Sequence, residues 1–124
     1  MPELAKTEAI AQITRAIGGL QSAIATLQMA YGKATFAEQG EILQAITELG
    51  QRLDINKIFL AHLKTSEVTV RSPSAHAYAR LDNALARLHA IDVATDSVRR
   101  ILNVVGALAT TVKSTRREVS SRAT

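Results

Sequence analysis

At 124 residues the chain is long enough for one domain with a real hydrophobic core and leaves little for a second. Its apolar content of 47% with only 3% aromatic residues implies a core of Ala, Leu, Ile and Val, which suits close-packed helices and argues against a sandwich or barrel. The net charge of +4 gathers at the end, where Lys113, Arg116, Arg117 and Arg122 face only Glu118. The body before them is nearly neutral, unlike a nucleic-acid binder with a basic face.

There is no cysteine, which excludes disulfides, thiolate metal ligands and a thiol nucleophile. Glu3, Lys6 and Glu8 stand where a secretory signal would carry its apolar run. The longest apolar stretch, Ile101 to Val112, is too short for the ~30 Å core of a bilayer. A soluble, cytoplasmic protein is the expectation.

The first helix is expected from about residue 3 to residue 31. Ile10, Ile13, Ile17, Leu20, Ile24, Leu27 and Tyr31 alternate steps of three and four, the seam of a coiled coil or antiparallel bundle. Gly18 and Gly19 lie mid-helix off that seam and mark either a bend or a close backbone approach, and Gly50 falls at the same height in the next helix. Gly32 is placed to end the first helix in a left-handed conformation. Thr35-Phe-Ala-Glu38 has the pattern of a capping box and opens a second helix over about 35–64.

The second seam reads Ile42, Ile46, Leu49, Leu53, Asn56, Leu60, Leu63. Asn56 is either a buried amide that fixes register or a solvent residue displaced by Ile55 and Phe59, and Asp54 could instead cap a new helix there and split the segment. His62 has no convincing partner. After a connector at 65–72, Ser72 caps a third helix with Pro73 at its first position. No Pro or Gly then intervenes before Gly106, so the spacing of Leu81, Leu85, Leu88, Ile91, Val98, Leu102, Val105, Ala109 and Val112 predicts one helix over 73–118.

The expected fold is all-α: an antiparallel bundle of three long helices, about 3–31, 35–64 and 73–118, the last longest, with a frayed basic tail at 119–124. A four-helix variant follows if the last helix breaks near 92–96 or at Gly106. In the three-helix form the first two helices cover the third only to about Asn103. Ile101, Leu102, Val104, Val105, Leu108, Ala109 and Val112 then form an overhanging patch that needs a partner, most simply a second copy in a dimer or else another helical protein. Residues beyond Lys113 are expected to be dispensable for folding.

Candidate chemistry is sparse. No phosphate loop, Gly-x-Ser-x-Gly, His-Glu-x-x-His or Glu-x-x-His motif is present, so no enzymatic activity and no cofactor are expected. His89, Asp92 and Asp96 share one helical face and are a weak metal candidate, with Arg99 and Arg100 near enough to pair with the acids instead. His76, Arg80, Asn83 and Arg87 form a polar stripe; Arg80 and Arg87, with Arg116 and Arg117 of the tail, are possible anion contacts. The expected function is a non-catalytic interaction module acting as adaptor, assembly factor or chaperone. The alternative is an accessory protein that touches nucleic acid or an anionic membrane through its tail.

Overall fold

The structure, a computed structural model, describes residues 2–65 and 69–120. It is all-α, with four helices: α1 Pro2–Ala30, α2 Phe36–Thr65, α3 Ala75–His89 and α4 Val98–Ser120. A single 3-10 turn, Tyr31–Lys33, joins α1 to α2. The Thr35 box forms as expected, with the Glu38 amide donating to Thr35 Oγ1 at 3.2 Å and the Thr35 amide to Glu38 Oε1 at 2.9 Å. Gly32 does not turn left-handed; no described residue has positive φ. The third helix is capped by Ser74, not Ser72: the Ala77 amide donates to Ser74 Oγ at 3.0 Å.

The long third helix divides, so the four-helix variant is the fold. Side chains make the break, without Gly or Pro. Asp92 Oδ1 accepts from the Ala94 amide, Asp96 Oδ2 accepts from the Asp92 amide, and Ser97 Oγ accepts from the Arg100 amide to cap α4. Short polar side chains thus take up the backbone groups that the interrupted helix leaves unpaired.

The break turns α4 back along α3, and Glu118 Oε1 accepts from the Ser74 amide at 2.8 Å at the far end. The helices run up, down, up, down. α4 touches the other three, α1 packs on α2 and α4 with a lesser contact to α3, and α2 has no comparable contact with α3. Ile101, Val104, Val105, Leu108 and Val112 are therefore buried inside the chain itself, and Leu102 and Ala109 are half-buried. The expected overhang does not exist, because the fourth helix covers its own apolar stripe. Nor does a frayed tail begin at 119. Thr115 and Val119 are buried, and Val119 O accepts from the Arg71 amide. Residues 121–124 of that expected tail, Arg122 among them, lie outside the described residues.

α1 packs on two sides. Its expected seam meets α2, while Ala9, Gln12, Ala16, Gly19 and Ala23 at steps of three and four, and Ala30 seven residues on, form a second buried stripe. Their small size lets α3 and α4 come close. A Cβ at Gly19 would lie 2.6 Å from Leu85 Cδ2 of α3 and 3.5 Å from Leu108 Cδ2 of α4, whereas one at Gly18 or Gly50 meets open space.

Gly18→Ala should therefore raise stability by about 1 kcal/mol through helix propensity. Gly19→Val should lower it by about 1–3 kcal/mol through overpacking against Leu85. Urea denaturation of both variants checks the contrast, and equal effects would contradict the close approach.

Deleting residues 114–124 should lower the melting temperature well below that of the full chain. It removes two buried side chains and the Glu118–Ser74 contact, of which Val119 alone accounts for roughly 2 kcal/mol. An unchanged melt would contradict the packing of this segment.

Candidate functional site

The level of each helix is fixed by a few cross-helix contacts. Arg99 of α4 pairs with Glu41 of α2 at 2.7 Å, Arg15 of α1 pairs with Asp82 of α3, and Lys33 Nζ donates to Asp96 O. From Arg99 and Glu41 downward α2 and α4 run side by side in the same direction. Glu48 is level with Gly106, and Ile55 with Lys113.

Between these two helices lies an open groove of about 750 Å³. Ala45, Leu49 and Ile55 line it from α2, and Leu102, Val105 and Ala109 from α4. Its edges carry Glu48, Arg52 and Lys113. Glu48 and Arg52 lie one turn apart on α2, yet no ion pair joins them, and Lys113 has none either. α3 occupies the other side of the molecule, against α4 and α1, so no described helix covers this groove. Only every seventh residue of α2 is fully enclosed (Ile42, Leu49, Asn56 and Leu63), because α2 packs on one side alone.

Below the groove is a polar layer within the core. Gln12 of α1, Asn56 of α2 and Thr115 of α4 are all buried at one height. Gln12 Oε1 accepts from Arg15 at 3.1 Å and Asn56 Nδ2 donates to Arg52 O at 2.7 Å, which leaves Gln12 Nε2 and Asn56 Oδ1 without a partner. One is a donor and the other an acceptor. Asn56 thus takes the seam position, and α2 continues unbroken past Asp54. Gln12 was hidden in the sequence by its place among alanines; the second stripe of α1 is the signal that finds it.

The other candidates disperse. Asp92 and Asp96 serve the α3–α4 turn, Arg100 pairs with Asp96 at 3.4 Å, and His89 is an exposed end residue of α3. Among the described residues no three metal-ligating side chains gather. Arg80 and Arg87 lie on α3, and Arg116 and Arg117 lie on the last turns of α4. The Ser74–Glu118 contact sets Arg87 at the opposite end from Arg117, about 20 Å away at 1.5 Å per residue. They form no common anion site. Burial raises the Tyr78 phenol above its ordinary value, and the nearby Glu8 carboxylate adds to the shift while Arg15 opposes it.

No described helix is long and apolar enough to cross a membrane. No protein-family model matches the chain, and no curated protein or solved structure is significantly similar to it.

Replacing the layer should show what it costs. Gln12→Leu with Asn56→Leu removes both unpartnered atoms together and should raise stability by about 1–2 kcal/mol, since apolar residues of similar shape avoid the desolvation penalty. Either single substitution should gain less. A double variant less stable than the native chain would mean that the amides satisfy each other in solution.

Proposed function

We propose that the chain is a non-catalytic helical interaction module whose docking surface is the α2–α4 groove. The observation that carries this reading is the groove itself, an open trough with an apolar floor and unpaired charges on its edges. On the other side of α4, a helix (α3) already lies against the body through the same kind of apolar packing, so a further helix laid along α2 and α4 suits the surface. The Ala45, Gly106 and Ala109 positions leave room for the close approach of a helix backbone. The surface differs from the overhang expected at the end of the last helix: it is lateral, and it uses α2 as much as α4.

The test is a photo-reactive residue placed at Ile55, in the groove, or at Ala86, on the exposed side of α3, in cells of the native host. A defined adduct should form from position 55 and not from position 86. Ala109→Arg, which sets a long cation over the floor, should abolish it while helix content and melting stay unchanged. Adducts of equal yield from both positions, or an adduct indifferent to Ala109→Arg, would rule out the groove as the docking surface.

A further inference from the structure

Resting on the groove as the docking surface, we infer that its occupant is α2 of a second copy of this chain, laid antiparallel about a two-fold axis that passes the groove face of α2 at the height of Gly50. The argument is one of charge and register. The groove edges carry one acid, Glu48, and two bases, Arg52 and Lys113, and among the described residues none of the three is engaged in an ion pair. An acidic helix entering the groove meets Glu48, and a basic one meets Arg52 and Lys113. A matching ligand must present the reversed order of charges, and α2 turned end for end does so.

In an antiparallel pair centred on Gly50, residues equally far on either side of that position come opposite each other. Glu48 then faces Arg52 of the second copy, and Arg52 faces its Glu48. Ala45 faces Ile55, which sets a small residue against a large one. Both members of each pair line the groove. Lys113, level with Ile55, falls within one turn of the second copy's Glu48 and is the cation from α4 that joins the contact. The two-fold uses one patch twice, so each favourable contact occurs in duplicate. Gly106 lines the groove without a side chain, and a Cβ there would meet nothing within 4 Å.

Sedimentation equilibrium of the full chain from micromolar to near-millimolar concentration tests this. The native chain should be a dimer that dissociates on dilution. Glu48→Arg and Arg52→Glu should each weaken it at least about tenfold, because each makes the two Glu48–Arg52 contacts repulsive, and Glu48→Arg does the same to the contacts with Lys113. An equimolar mixture of the two variants should associate again, since the two basic α2 positions of one then meet the two acidic α2 positions of the other. Should either reversal lose helix content, Glu48→Gln and Arg52→Gln should still weaken the dimer, by a smaller factor. A native monomer at every concentration, single variants that dimerise like the native chain, or a mixture that stays monomeric would each overturn the inference. A native monomer whose position-55 photo-adduct contains a different protein would overturn the occupant alone. Loss of that adduct as well would remove the docking surface with it.

Discussion

The turn between α3 and α4 is the constraint from which the rest of the structure follows. Without it the helix would run on and expose Ile101, Val104, Val105, Leu108 and Val112, all of which the folded chain encloses. At about 1.5–3 kcal/mol for each buried aliphatic side chain, covering five is worth roughly 10 kcal/mol gross. Interrupting a helix forgoes a few backbone hydrogen bonds at about 1 kcal/mol net apiece. Asp92, Asp96 and Ser97 reduce even that by accepting from the amides that the break leaves unpaired. Burial wins, and α4, like α1, comes to meet all the others.

That central place requires α1 to be narrow on the side facing α3 and α4. The alanines supply the narrowness along its length, and Gly19 supplies it where Leu85 and Leu108 converge. The same stripe includes Gln12, so close packing and a buried amide arrive together. The polar layer of Gln12, Asn56 and Thr115 lies between a large apolar cluster around Leu20, Leu81 and Leu108 and a smaller one around Ile13, Leu63 and Val119. A helix slipped by one turn would set an amide among aliphatic side chains at several kcal/mol. The layer therefore opposes such slips more than it adds stability.

Much of this was legible in the residues. The heptad spacing of both seams, the Thr35 box and the all-α class follow from spacing and side-chain chemistry, although α2 fully encloses only Ile42, Leu49, Asn56 and Leu63 of its seam and Tyr31 lies exposed beyond α1. The division of the last helix near 92–96 was legible only as the second alternative, because no Gly or Pro marks it. Here the helix ends lie in Asp92, Asp96 and Ser97, whose capping depends on geometry rather than on composition. The seven residues expected at an interface shared that error, since their exposure was inferred from a helix that does not exist. The groove could not be seen either. Leu102 and Ala109 read as one apolar stripe with Val105, and which helix leaves them half-covered is decided by α3 lying on α1 and not on α2.

The size of the groove bounds how it can act. Completing the burial of Ala45, Ile55, Leu102 and Ala109 adds a few kcal/mol per copy at about 25 cal/mol per Å². Association costs about 4–15 kcal/mol in lost translational and rotational freedom. The apolar floor alone therefore supports only weak attachment, and orientation rests on the charged edges. Exposed ion pairs contribute about 0–1 kcal/mol each, while like charges set face to face oppose a wrong arrangement. In the proposed dimer Glu48 and Arg52 would act less as glue than as a key that admits α2 in one direction. A contact of this strength would form and dissolve with concentration, as the proposed function requires.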